Sequence, residues 1–161
     1  MNSHRSWERS TDGLISALSA GVFLMLIGVL FIITPNLYTS LVNFFKNFKA
    51  VQVPNISSFY LPAPKDPAAH ATVYSAVAQF SSAWGIYLIG TLIMRFFIRS
   101  PLYRKARNTS DIAFWLGASY IITQFLNNST TTVDWFAFWA AIIILVGVAS
   151  IIRSAVLAIF R

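Results

Sequence analysis

Five acids and two histidines are the side chains through which this sequence could run acid–base or metal chemistry: Glu8, Asp12, Asp66, Asp111, Asp134, His4 and His70. There is no cysteine, so thiolate nucleophiles and disulfides are excluded and the redox compartment stays open. Asp66 and His70 stand at i, i+4 and could share a metal weakly, but a solvated helix start is the simpler reading of that pair. Four of the acids fall where helices should begin: Asp12 and Asp66 just before two of them, Asp111 and Asp134 at the opening of two more. There a carboxylate accepts orphan backbone N–H groups and meets the positive end of the helix dipole. Glu8 lies in a polar tail. His/Cys/Asp/Glu clusters at metal-ligand spacing, a phosphate loop and a G-x-S-x-G elbow are all missing. No catalytic residue, no metal ligand and no cofactor is assigned, and the chain is not expected to be an enzyme.

The elements that carry these residues follow from composition. Of 161 residues, 57% are hydrophobic and only 11% charged, against about 25% charged in soluble domains. So little charge cannot solvate an 18 kDa globule, and so much apolar content excludes disorder. An integral membrane protein remains. Uncharged runs of 33, 28, 22 and 18 residues separate Asp12 from Lys46, Asp66 from Arg95, Asp111 from Asp134, and Asp134 from Arg153. A crossing helix needs about 20 apolar residues, so four transmembrane helices are expected, near 13–34, 71–98, 111–127 and 135–160. The first run is too long for a signal peptide and ends in Thr34-Pro35-Asn36, which is no cleavage site, so it is read as a retained anchor.

Four crossings put both termini on one side. That side carries Arg5, Arg9, Arg95, Arg99, Arg104, Lys105, Arg107, Arg153 and Arg161; the other carries Lys46, Lys49 and Lys65. The positive-inside rule then makes the termini cytoplasmic, in a multi-pass protein of the cell membrane. The net charge of +7 flanks the spans and forms no separate patch, so it points to anionic lipid headgroups and not to nucleic acid.

The longest stretch outside the spans, 35–70, opens amphipathically. Leu37, Leu41, Phe44, Phe45 and Phe48 share one face, opposite Thr39, Ser40, Asn43, Lys46 and Asn47. This predicts an interfacial helix on the outer surface, a membrane anchor or a docking face for a partner. Residues 50–54 read as a short extended piece. Leu61-Pro62-Ala63-Pro64-Lys65-Asp66-Pro67 reads as a polyproline-like spacer. Thr34-Pro35, Asp66-Pro67 and Ser100-Pro101 read as caps followed by proline at a first helical position. The third of these predicts a short helix over 102–107. Asn55-Ile56-Ser57 and Asn127-Asn128-Ser129-Thr130 hold N-x-[ST] acceptors on the outer side.

Within the spans, small residues mark where helix backbones can approach. Ser75, Ala78, Ser82 and Gly85 repeat at three- and four-residue spacing, with Ala71 ahead of them; Gly21 and Gly28 lie seven apart, and Ala113 and Gly117 four apart. These are the candidate helix-packing positions. Ser75, Gln79, Ser82, Thr123 and Gln124 are the candidate polar path; as interhelical hydrogen bonds they would contribute about 0.6 kcal/mol each. Trp84 and Tyr87 should lie deep and find partners inside. No Asp, Glu, Lys or His falls within an expected hydrocarbon core, whereas proton-coupled transporters, pumps and voltage sensors depend on such groups.

The stretches GVFLMLIGVLFIITPNL, LPAP, VYSAVAQF and IIRSAVLAIFR resemble small four-span membrane proteins of archaea, a group with no assigned activity. The resemblance implies a prokaryotic cytoplasmic membrane and carries over no functional residue. The expected architecture is thus an all-α, single-domain, four-helix membrane bundle with one outer amphipathic helix. Its expected role is that of a non-enzymatic accessory or scaffold subunit, whose partners are the bilayer and another membrane protein or further copies of itself. A small-solute transporter or channel acting as an oligomer is the second reading, and a membrane enzyme or lipid-handling protein the third.

Overall fold

A computed structural model describes residues 3–54, 56, 58–98 and 100–159, without the side chains of 3–16. Helix α1 (Ser3–Ile33) is followed by α2 (Leu37–Lys46), strands β1 (Phe48–Gln52) and β2 (Tyr60–Pro64), a 3-10 turn (Pro67–His70), and helices α3 (Ala71–Phe97), α4 (Leu102–Phe125) and α5 (Thr132–Ile159). The chain is mostly helical. With its 3-10 start α3 is long and apolar enough to cross a membrane, as is α5. A third such segment results if α1 from Ala17 onward and α2 count as one broken span.

α1 and α2 meet at 96°. The corner is made by Thr34-Pro35-Asn36, with Asn36 in the left-handed region at φ 55°, a conformation asparagine tolerates better than most residues. α2 thereby lies across the ends of the long helices. It does not reach Phe48, which the amphipathic pattern assigned to it: the helix stops at Lys46, and Phe48 opens β1.

The proline-rich stretch is not a spacer. It forms β2, paired antiparallel to β1 with Phe48 opposite Pro64, Ala50 opposite Pro62 and Gln52 opposite Tyr60. Two prolines are tolerated because of register. Val53 N–H donates to Phe59 O at 2.9 Å, and Lys65 N–H donates to Asn47 O at 3.0 Å. The odd-numbered residues of β2 therefore face β1 with their hydrogen-bonding groups, and Pro62 and Pro64 sit at the outward positions, where no N–H is needed. Asn47 also fixes the exit from the hairpin, since its Oδ1 accepts the Asp66 N–H at 3.0 Å.

The long helices run antiparallel in chain order. α1 rests on α3 through Phe23, edge-on to Phe80 and Trp84, and through Ser19, whose hydroxyl meets that of Tyr87 at 2.9 Å. Trp84 stacks on Tyr87 at 5.0 Å. α3 and α4 close around Gly85 and Leu116, and Asn108 Nδ2 donates to Leu88 O at 3.0 Å. α4 and α5 close around Gly117 and Leu145, and Ser110 Oγ donates to Ala149 O at 2.7 Å. The main core lies at the hairpin end, where Ala63, Tyr74, Ala78, Ile122, Leu126, Trp135 and Phe138 pack with Phe44, Phe48 and Val51.

The acids are placed differently from the expectation. Asp12 lies inside α1 and Asp111 inside α4, because both helices start about ten residues earlier than the charge pattern suggested; the helix expected at 102–107 is simply the first turns of α4. Asp66 makes no side-chain cap, and neither Thr34 nor Ser100 is the residue that caps the following helix. Asp134 does cap: its Oδ2 accepts from Thr131 N–H at 2.9 Å and from Thr131 Oγ1 at 2.7 Å, while Asp134 N–H returns to Thr131 Oγ1 at 3.3 Å. This reciprocal pair is a capping box. Thr131→Ala is expected to lower stability by about 1 kcal/mol, read as a lower thermal midpoint in mild detergent. An unchanged midpoint would deny the cap any weight.

Candidate functional site: a groove beside α3

An open groove of about 1070 Å³ lies between the end of α1, the first half of α3 and the second half of α4. Ile33, Thr34 and Pro35 form one wall. Ala71, Ser75, Ala78, Gln79 and Ser82 of α3 form the floor. Ser119, Ile122, Thr123 and Leu126 of α4 form the other wall, with Asn127 and Asn128 at the mouth. α1 packs on α3 at the level of Ser19 and Phe23 and leaves it before Ile33. Leu24, Met25, Phe31 and Ile32 are exposed, and neither Gly21 nor Gly28 has a described atom within 4 Å of where a Cβ would stand.

Several hydroxyls of the groove are engaged, while that of Tyr74, which also lines it, is buried with no partner among the described residues. Ser119 Oγ donates to Ala78 O at 2.9 Å. Its single proton is then committed, so in the 2.6 Å contact between Ser82 Oγ and Ser119 Oγ it is Ser82 that donates. Thr123 Oγ1 turns back on its own helix, to Tyr120 O at 2.8 Å and Ser119 O at 3.2 Å. Gln79 Nε2 donates to Ser75 Oγ at 3.3 Å, which leaves that amide a second N–H and its carbonyl oxygen. The groove thus offers small side chains, the amides of Gln79, Asn127 and Asn128, and the Tyr74 hydroxyl. Its lining contains no acid, base or nucleophile–base pair, and the described residues contain no group of three His, Asp or Glu that could hold a metal.

Of the candidate polar path, Ser75, Gln79, Ser82 and Thr123 line this groove, while Gln124 is exposed elsewhere on α4. Of the candidate packing residues, Ala78, Ser82, Gly85 and Gly117 meet neighbouring helices, Ser75 and Ala113 are not closed in, and Gly21 and Gly28 face open space. The amphipathic set of α2 divides. Leu37 is buried, and Phe44 and Phe48, both half-buried, pack against the core within the chain. Leu41 is half-buried and Phe45 is 70% exposed. His70 is no solvated helix start: it is buried, with Phe44 edge-on to its ring at 5.2 Å, and its Nε2 has no partner among the described residues. At the first acceptor tripeptide Asn55 and Ser57 lie outside the described residues, as do the side chains of His4, Glu8 and Asp12. At the second, Asn127 Oδ1 accepts the Ser129 N–H at 2.8 Å in a local turn.

Sequence reasoning missed Ser119, Asn127 and Asn128. Ser119 stands at i, i+4 to Thr123 and i, i+3 to Ile122, so a helical-wheel reading of α4 would have placed it on the groove face. Comparison of the chain with family models, with characterised proteins and with solved structures finds no match.

Proposed function

We propose that this chain is a four-span protein of the cell membrane, with cytoplasmic termini, that serves as a non-enzymatic accessory or scaffold subunit and seats a partner's transmembrane helix in the groove beside α3. One observation carries the reading. The groove floor carries the small side chains Ala71, Ser75, Ala78 and Ser82, with Ser82 bonded through Ser119 to the Ala78 carbonyl, which suits close backbone approach by a helix. α4 carries too many polar residues to qualify as a span on hydropathy alone. Packed between α3 and α5, it need not present an apolar surface all round. Along the sequence, nine basic residues in the two tails and around the 95–107 connection, against three in the 35–70 stretch, support the orientation.

The test is co-purification in mild detergent. A stoichiometric companion is expected with the wild type and is lost with Ala78→Phe, which fills the floor. A wild-type chain that purifies alone, as a monodisperse monomer, sinks the scaffold reading. The second reading, an oligomeric transporter or channel, draws on Ser75, Gln79, Ser82 and Thr123 sharing one groove. It requires solute flux into proteoliposomes above that of empty vesicles.

A further inference from the structure

We propose that β1 is the seam of a two-fold dimer, in which its outer edge pairs antiparallel with the same edge of a second copy of this chain, centred on Ala50. The proposal goes beyond the scaffold role and uses no residue of the groove. The register of the hairpin supplies the edge. Asn47 O accepts the Lys65 N–H and Val53 N–H donates to Phe59 O, so the odd-numbered residues of β1 turn their hydrogen-bonding groups toward β2. Those of Phe48, Ala50 and Gln52 then point away from it. No hydrogen bond reaches these outward groups from elsewhere among the described residues. Ala50 and Gln52 are exposed and Phe48 is half-buried. A strand edge left open in this way is a template for a further strand.

The other edge of the hairpin is closed, and this selects the occupant. On β2 the outward positions are Tyr60, Pro62 and Pro64. Neither proline has an N–H to offer, and Pro64 is fully buried within the chain. A second copy therefore cannot lay its β1 on β2, and head-to-tail growth into a filament is blocked. Pairing of β1 with itself closes after two copies. The edge is self-complementary in that arrangement. With Ala50 opposite Ala50, Phe48 of each copy stands opposite Gln52 of the other, and all of these are pairs that exchange both backbone hydrogen bonds. Any slip of register leaves fewer such pairs, because the outward position beyond Gln52 is Pro54 and the one before Phe48 is Lys46 of α2. The same register sets Lys49 opposite Val51, so no like charges are directly opposed. It also brings the turn end of each hairpin beside the junction of α2 and β1 in the other copy, where Phe45 is 70% exposed.

The chain contains no cysteine, so Ala50→Cys introduces a single thiol. A hydrogen-bonded antiparallel pair holds its Cα atoms about 5.5 Å apart, within the span of about 4.4–6.8 Å that a disulfide bridges. Mild oxidation of the full chain in detergent should convert most of Ala50→Cys into a reducible covalent dimer. Tyr60→Cys, exposed on the closed edge, should remain largely uncrosslinked. By light scattering the wild type should be a dimer, and Ala50→Pro should weaken association at least about tenfold. The Ala50 N–H makes no bond within the hairpin, so proline there repeats what Pro62 already does on β2. Amide exchange reads both levels. Lys49 and Val51 should stay protected in Ala50→Pro, showing an intact hairpin, while Phe48 and Gln52 lose the protection they have in the wild type. Ala78→Phe, in the groove, should leave the dimer intact. A monomeric wild type, Ala50→Cys crosslinked no better than Tyr60→Cys, or a dimer that survives Ala50→Pro overturns the seam. A dimer lost with Ala78→Phe would place the contact in the groove and overturn it as well.

Discussion

Gly85→Val is expected to destabilise the protein by at least about 1–3 kcal/mol, the usual cost of forcing extra carbon into a packed contact. A Cβ at position 85 would stand 2.5 Å from Leu116 Cδ2, 2.8 Å from Leu116 Cγ and 3.4 Å from Leu116 N. The chain tip could rotate away, but Cγ and the backbone follow only if α3 and α4 separate. Separation would also pull on the Ser82–Ser119 contact one turn along the same seam. Gly85→Ala meets the same clash with a partial offset, since alanine favours a helix over glycine by about 0.5–1 kcal/mol; its net loss should be smaller. Leu116→Ala removes the obstructing atoms, so the double variant should lose less than the two single variants added together, a coupling of about 0.5–3 kcal/mol. Gly117→Ala should be milder than Gly85→Ala, because the atom met at 2.6 Å is the tip of Leu145, with Cγ already back at 3.5 Å. Gly21→Ala and Gly28→Ala should be neutral or stabilising in the isolated chain. Thermal unfolding in mild detergent reads all of these. A Gly85→Val midpoint equal to that of wild type would remove the basis for α3–α4 close packing. A large loss at Gly28→Ala in the isolated chain would mean that α1 lies against another helix.

What was legible in the sequence was what charge and hydropathy encode over long windows. The ends of α1 and α3 fell within one residue of the expected positions, and α5 starts at Thr132, three residues before the expected 135, where the Thr131–Asp134 pair acts locally; Pro35 follows the end of α1 but does not open α2, which starts at Leu37. Two kinds of feature were not legible. Asp12 and Asp111 suggested helix starts that do not exist, since a carboxylate on an exposed turn is as compatible with a helix interior as with a cap. The hairpin was hidden because Pro62 and Pro64 argue against a strand until register shows both facing away from β1. The groove was half legible. Small and polar residues on α3 announced a face, but which wall opposes it depends on where α1 departs, and Gly21 and Gly28 suggested closure where the chain stays open.

Trp135→Ala is expected to be the most damaging truncation at the hairpin end, about 3–5 kcal/mol. The indole is 4% exposed and lies within about 6 Å of the rings of Phe44, Phe48, Tyr74, Phe138 and Trp139. Those rings belong to α2, β1, α3 and α5, so one side chain ties the hairpin and the transverse helix to the long helices. Without it, residues 37–64 should lose hydrogen-exchange protection before α3 and α5 do, because the hairpin's own ladder is a two-stranded ribbon with little independent stability. Trp139→Ala is the control: that ring is 49% exposed, and its loss should cost far less and leave the protection of 37–64 intact. Trp135→Phe separates packing from polarity. The Trp135 Nε1–H is buried with no partner among the described residues, so phenylalanine removes an unsatisfied donor while keeping most of the ring contacts, and the loss should stay below about 1.5 kcal/mol. Should Trp135→Phe prove as damaging as Trp135→Ala, the indole N–H must be donating to a group bound in the cluster. Tyr74 Oη and His70 Nε2, both also buried and unpartnered, would then be the next atoms to vary, as Tyr74→Phe and His70→Phe.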